Sequence, residues 1–278
     1  MPELPELEIV REVLQRRVVG QKITEVELRP PGASIVIRDM TGRGFAAALV
    51  GQMLTVVRRR GKFLIFELGE TQPPTSLVIN PKLTGRLQLA HPTDKRLPKT
   101  HVLFTWSDGQ QLRYLDQKVM GQLYLTERLE AVPDFVAQGP EALEIPLGEF
   151  QARLRRYRGE IKGVLTRGDF VAGIGNAYAD EILWAARLHP FRKRTQLTAG
   201  EIEGLYSAMR TTLLEAIEKL RDLIGKDIHL EPREFMAVHM KTGEPCPRCG
   251  TPISLIGANQ RITNFCRRCQ PGGLIKGL

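Results

Sequence analysis

The sequence predicts an α+β protein of several domains: an N-terminal helix with a β-sandwich, then a helical domain, then a small zinc ribbon. Three observations carry this. Leu4, Leu7, Val10, Leu14 and Val18 recur at helical spacing, and short strand-like runs follow them, separated by turn signals at sandwich-like intervals. Beyond residue 148 the strand pattern gives way to longer helical ones. All four cysteines fall in the last 33 residues, as two CxxC pairs.

In chain order, residues 5 to 19 read as an amphipathic helix closed by Gly20. Strands are expected at 22–29, 34–38, 53–60, 62–68, 76–80, 85–90, 100–106, 110–115 and 121–126, with a brief helical segment at 45–50. Pro30-Pro31-Gly32, Gly61 and Ser107-Asp108-Gly109 punctuate the runs, so residues 1–128 form the first expected domain. Residues 129–148, rich in Pro, Gly and Glu without periodicity, are expected as a linker. Helices follow at 149–158, 161–167, 175–186 and 199–220, the last opened by the capping-box pattern Thr198-Ala199-Gly200-Glu201. The helical domain is expected over 149–240 and the ribbon over 241–278.

The composition, 42% hydrophobic and 26% charged, is that of an ordinary globular chain. Forty Lys and Arg against 31 Asp and Glu leave a net charge of +9, which favours a polyanionic partner, nucleic acid before membrane. No apolar run approaches the roughly 20 residues that span a bilayer, and the start lacks a signal-peptide pattern, so a cytoplasmic or nucleoid location is expected.

The first six residues, Met1-Pro2-Glu3-Leu4-Pro5-Glu6, hold the most reactive arrangement. Removal of Met1 would leave Pro2 with a free secondary amine, and an α-amine, with a pKa of about 8, is partly unprotonated and nucleophilic near neutrality. Glu3 beside it can shuttle protons, the division of labour in Schiff-base catalysis. In an arbitrary chain Pro2 and Pro5 would do no more than punctuate a helix start, with Glu6 and Glu8 complementing its dipole. The choice rests on the rest of the chain.

Cys246-Pro247-Arg248-Cys249 and Cys266-Arg267-Arg268-Cys269, with 16 residues between the pairs, have the spacing of a structural zinc site. Four thiolates close the coordination sphere, so one zinc held by Cys246, Cys249, Cys266 and Cys269 would staple a hairpin without catalysing. Arg248, Arg261, Arg267 and Arg268 make that ribbon basic, with Arg261 placed to meet phosphate. A second signal is Gly168-Asp169-Phe170-Val171-Ala172-Gly173-Ile174-Gly175-Asn176, a glycine-rich connection opening a helix, where backbone amides form an anion site. By itself such a connection is more often a tight turn.

Taken together and in this order, the Pro2-to-Glu6 start, Gly173-Ile174-Gly175-Asn176 and the ribbon with Gln260-Arg261 resemble the formamidopyrimidine-DNA glycosylase and endonuclease VIII family over the whole chain. The resemblance implies a helix-two-turn-helix domain and a bifunctional enzyme, monomeric, excising oxidised bases from double-stranded DNA and cleaving abasic sites by β,δ-elimination. It implies Pro2 as the nucleophile at C1′, Glu3 as the proton carrier, Glu6 as a further acidic group, and Lys62 as the lysine holding phosphate beside the lesion. It also implies Asn176 and Arg261 as paired phosphate clamps, and Lys162 as a weaker DNA contact. His101 stands where the family often has histidine, and a structural role is equally expected. An enzyme acting on a base inside a duplex must swing it out, repaid by backbone contacts and by side chains that fill the gap.

The departures lie in the segments that read the DNA. Where the family has His-x-Gly-Met-Thr/Ser-Gly, this chain has Asn80-Pro81-Lys82-Leu83-Thr84-Gly85, so Leu83 replaces the gap-filling methionine, a change that keeps apolar volume. Where the family has Asp-Pro-Arg-Arg-Phe-Gly, it has Asp116-Gln117-Lys118-Val119-Met120-Gly121. Val119 takes the place of the arginine that pairs with the orphaned base, and Met120 that of the wedging phenylalanine. Valine donates no side-chain hydrogen bond, so weak opposite-base selectivity is expected unless Lys118 supplies the contact. Residues 221–240 match poorly the loop that caps 8-oxoguanine and are short, which leaves oxidised pyrimidines, hydantoins and ring-opened purines equally open as substrates. An enzyme mainly active on abasic sites, or a damage-binding protein without chemistry, are the rival readings.

Overall fold

A computed structural model describes residues 1–69, 74–257 and 262–272. It divides into two compact units, one of residues 1–137 with 220–232 and one of residues 138–219 with 233–278.

The first unit opens with α1 (Leu4–Arg17), whose apolar stripe of Leu4, Leu7, Val10 and Leu14 is buried, as its helical spacing dictates. Then come β1 (Ile23–Leu28), α2 (Gly32–Val36), β2 (Ile37–Asp39), α3 (Phe45–Leu49), β3 (Leu54–Arg60), β4 (Phe63–Leu68), β5 (Thr75–Asn80), β6 (Gly85–Ala90), β7 (Thr100–Trp106), β8 (Gln111–Asp116) and β9 (Gln122–Thr126). They form a four-stranded sheet in the order β1-β7-β8-β6 and a five-stranded sheet in the order β2-β9-β5-β4-β3, with α1 against β3 and β4. The sandwich with its N-terminal helix is as expected.

One strand was placed wrongly. Residues 34–38, read as strand from Ile35, Val36 and Ile37, begin instead inside the single helical turn of α2, and only Ile37 onward pairs, parallel, with β9. Burial of Ala33 and Val36 in that turn outweighs the β-propensity of the branched residues. Gly32 permits this packing, because a Cβ there would fall 2.0 Å from Nδ1 of His101. The boundary between the two units, at residues 137 and 138, falls inside the stretch 129–148. Val132 packs with Phe63, Ile65, Val78 and Tyr124 in the first unit, while Ala142 and Ile145 are buried and Ala142 N donates to Ala172 O in the second. Its scattered apolar residues carry no period, so the sequence gives no sign of which unit each half joins.

The second unit contains α4 (Leu147–Leu154), α5 (Ile161–Leu165), α6 (Asn176–Ala185), α7 (Ala199–Ile224) up to Lys219, and the hairpin of β10 (Ser254–Ile256) with β11 (Thr263–Phe265). The last turn of α7 and the segment through Pro232, expected in the helical domain, count instead with the first unit. Bidentate bonds from Arg221 to Glu12 of α1, at 3.0 and 2.9 Å, are one cause. No helix among the described residues is long and apolar enough to cross a membrane.

Candidate active site and nucleic-acid interface

Pro2 is fixed by the way α1 begins. Glu3 is the N-cap, and its backbone N–H donates to Oε2 of Glu6 at 2.9 Å, closing a capping box. Pro5 follows in the first turn, where the missing N–H has no cost. Pro2 is buried, Glu3 is 1% exposed and Glu6 is 2% exposed, so two carboxyl groups are held out of bulk water beside the chain start. Glu6 thus caps the helix and also lines a pocket with Pro2.

Lys62 stands directly after Gly61, whose left-handed φ of 56° turns β3 into β4. Burial of its ammonium, with Lys82 adding to it, holds the Lys62 pKa below the ordinary lysine value, and the opposing fields of Glu3 and Glu6 offset this only in part. Of the four residues expected to carry catalysis, Glu3, Glu6 and Lys62 are therefore electrostatically coupled, and Pro2 shares its pocket with Glu6. On one side of it, Arg59 donates from Nε to Glu8 at 2.7 Å and fastens β3 to α1.

The two segments expected to read DNA lie side by side for a topological reason. The loop of Leu83 joins β5 to β6, and that of Met120 joins β8 to β9; both cross from one sheet to the other, and β5 neighbours β9 as β6 neighbours β8. Asp116, wholly buried at the end of β8, ties them together. Its carboxylate accepts from Gly121 N at 2.7 Å, Met120 N at 2.9 Å, Tyr114 Oη at 3.1 Å and Lys118 N at 3.2 Å, and from the Thr84 hydroxyl of the other loop. Burial works to raise its pKa, but the bonds from Thr84, Gly121, Tyr114 and Lys118 prevail and hold it below the ordinary aspartate value. Gly85 and Gly121 are required here, since a Cβ on either would lie 2.6 or 1.8 Å from the Tyr114 hydroxyl. In each loop the residue before the expected wedge is left-handed, Lys82 at φ 48° and Val119 at φ 53°. Met120 is 45% exposed at its loop tip, and Leu83 is half-buried. His101 is buried, with Nε2 at 3.0 Å from Asp116 O, and serves this scaffold.

In the second unit α5 and α6 flank the glycine-rich turn. Gly173 adopts φ 100°, and Asn176 heads α6 with its Nδ2 donating to Ile262 O at 2.9 Å. Lys162 is placed differently from expectation. It is 7% exposed, and its ammonium meets Asp180 Oδ1 at 2.6 Å, Thr263 Oγ1 at 2.9 Å and Ile262 O at 3.0 Å. Those internal partners occupy its donors, so Lys162 anchors β11 and does not stand open to phosphate. Arg261, immediately before this anchored carbonyl, lies outside the described residues.

The four cysteine sulfurs lie within 4.8 Å of one another, with Cys246–Cys269 at 3.9 Å and Cys249–Cys266 at 3.4 Å. A tetrahedron with Zn–S bonds of about 2.3 Å has edges of about 3.8 Å, so the set fits one structural zinc. Trp184 of α6 supports it, its Nε1 donating to Cys246 Sγ at 3.4 Å while the Arg248 guanidinium stacks 4.0 Å above the indole.

Sequence reasoning missed several members of these sites. Asp116 was visible as a motif residue, but nothing local marks it as the joint between two loops 32 residues apart in Thr84 and Asp116. Arg86 and Glu231 also went unnoticed. Glu231 accepts from the terminal amine at 3.0 Å and pairs with the Arg86 guanidinium, in a stretch whose pattern matches the family poorly.

Comparison with known proteins identifies the family and the fold. Residues 1–123 match the formamidopyrimidine-DNA glycosylase N-terminal domain, residues 136–226 its H2TH domain, and residues 243–272 the zinc finger found in FPG and IleRS. The formamidopyrimidine-DNA glycosylase of Symbiobacterium thermophilum is 40% identical over 98% of this chain and 90% of its own. That of Pelotomaculum thermopropionicum is 38% identical over 97% of this chain and 99% of its own. Among solved structures, Lactococcus lactis Fpg in complex with abasic-site DNA superposes with a TM-score of 0.85 at 33% identity, covering 97% of this chain and 100% of that one. MutM in complex with DNA containing carbocyclic 8-oxo-G gives 0.85 at 34% identity, covering 98% and 100%. With all three domains matched in order and relatives alike from end to end, the chain belongs to the formamidopyrimidine-DNA glycosylase family of DNA repair glycosylases with AP-lyase activity.

Proposed function

We propose that this glycosylase works through Pro2. Once Met1 is removed, the neutral secondary amine attacks C1′ of the damaged nucleotide, the base leaves with the glycosidic electron pair, loss of the proton from nitrogen gives an aminal, and cleavage of the C1′–O4′ bond with protonation of O4′ then yields a covalent iminium. Glu3 moves protons during ring opening, Glu6 fixes the cap that holds the amine in place, and Lys62 binds phosphate beside the lesion. Elimination at both phosphates then leaves a one-nucleotide gap. The observation that carries the reading is the clustering of Pro2, buried Glu3 and Glu6, and the coupled Lys62 at one chain start.

The substrate is double-stranded DNA bearing an oxidised base or an abasic site, as in the complexes of the related enzymes. Leu83 and Met120 enter the duplex, and Asn176 and Arg261 hold its backbone. The protein acts as a monomer, and its net charge of +9 supports residence on the nucleoid. Val119 at the base-pairing position favours a second emphasis, strong abasic-site cleavage with weak opposite-base discrimination.

Borohydride trapping on an oligonucleotide with one abasic site tests the mechanism, after intact-mass analysis of the terminus. The expected result is a covalent adduct on protein lacking Met1. Protein that lacks Met1, binds the DNA and forms no adduct would be a damage-binding protein instead.

A further inference from the structure

The pocket beside Pro2 has a wall that does not come from the N-terminal helix or the sheets. Ile228, Leu230 and Glu231, from the segment after α7, line it together with Pro2 and Glu6 of the chain start and Arg86 of β6. Several bonds hold that wall. Arg221, in the last turn of α7 just before it, is paired with Glu12 of α1. At its end Glu231 has one carboxylate oxygen on the terminal amine at 3.0 Å and the other on the Arg86 guanidinium. The Glu231 side chain is 14% exposed and that of Arg86 20%, so solvent screens the trio only in part.

We propose that Glu231 is the positioning residue for the nucleophilic amine, with Arg86 fixing the carboxylate in place. The proposal rests on the reading of Pro2 as nucleophile. In the full chain the carboxylate holds the amine of Met1; removal of Met1 retracts the terminus by one residue, about 3.8 Å, to the pocket that Pro2 and Glu231 line together. A carboxylate there orients the amine toward the pocket and favours its cationic forms, the ammonium and the iminium that succeeds it. In this chain, then, the short segment after α7 serves the nucleophile.

Other charges line the same pocket, Glu6 from the start of α1 and Arg86 from β6, and Glu3 and Glu6 are in turn coupled to Lys62, which also feels Lys82. The variants Glu231→Gln and Arg86→Met leave Glu3, Glu6 and Lys62 unchanged, and they act in opposite directions. Losing the carboxylate lowers the pKa of the amine, whereas losing the guanidinium raises it.

The test measures the amine pKa on DNA-free protein lacking Met1, from the pH dependence of terminal acetylation read by mass spectrometry. Borohydride trapping rates are followed over the same pH range. For Glu231→Gln the expected result is a pKa about one unit lower, an acid limb of trapping displaced equally, and a plateau rate reduced about tenfold. If Glu231→Gln does not fold, Arg86→Met decides through its upward shift. An amine pKa unmoved in the folded variant, with wild type still forming the adduct, overturns this proposal alone. A wild-type protein without Met1 that traps nothing overturns the reading of Pro2, and this proposal with it.

Discussion

The chain start and the paired loops proposed to read DNA belong to the same unit yet differ in what they keep of the family pattern. At the start the residues proposed to react keep the family pattern: Pro2, Glu3 and Glu6 stand in order, with Glu3 and Glu6 joined in a capping box. In the loops the tips have changed to Leu83, Val119 and Met120, while the scaffold beneath them, Asp116 with Thr84, Gly85 and Gly121, is intact. The contrast follows from the work each does. Covalent chemistry at C1′ needs a particular nitrogen, whereas filling the space left by an extruded base needs apolar volume in the right place, which several side chains supply.

The largest expected effect lies at the chain start. Acetylating Pro2, or retaining Met1 so that Pro2 becomes an amide, should reduce adduct trapping at least about a hundredfold with little change in DNA affinity. Comparable trapping after such a block would mean another nucleophile and would erase the contrast drawn above.

Next comes the loop scaffold. Asp116→Asn should cost on the order of 3 kcal/mol, because the donors around a charged acceptor lose it, and should disturb both loops at once. The Asp116 carboxyl is held below its unfolded value of about 3.9, so its stabilisation is complete above that pH and fades as pH falls through the lower folded value. The melting-temperature gap between wild type and Asp116→Asn should accordingly narrow below about pH 4. A constant gap down to the acid transition would show that charge on Asp116 is not what binds the loops.

A smaller change concerns readout. Wild type should excise with similar rates opposite C and A, and Val119→Arg should introduce a preference for C of several-fold. Strong preference for C in the wild type would sink the expectation, and Lys118 would become the residue to vary. The smallest effect is conformational: Val119→Gly should stabilise the protein by about 0.5–1 kcal/mol, since a β-branched residue at φ 53° is strained, and thermal denaturation would register it.

Much of the architecture was legible in advance because it is written in local periods. The spacing of Leu4, Leu7, Val10 and Leu14 placed α1, short runs between turn signals placed all the strands of the sandwich but β2, and the two CxxC pairs placed the zinc site. Residues 34–38 failed because burial of Ala33 and Val36 decided against local β-propensity. Lys162 failed because a lysine near a DNA-binding turn looks the same in sequence whether its ammonium meets phosphate or Asp180.

By itself, then, the sequence determined the chemical groups and the elements that carry them: the terminal proline, its glutamates, the tetrathiolate, and the helices and strands with strong periods. Only the tertiary structure decided which distant groups meet. It brought Glu231 to the amine across 230 positions, Thr84 to Asp116 across 32, and Lys162 to Ile262 across 100. Such contacts are set by sheet order and by where a helix ends, and no short-range pattern encodes either.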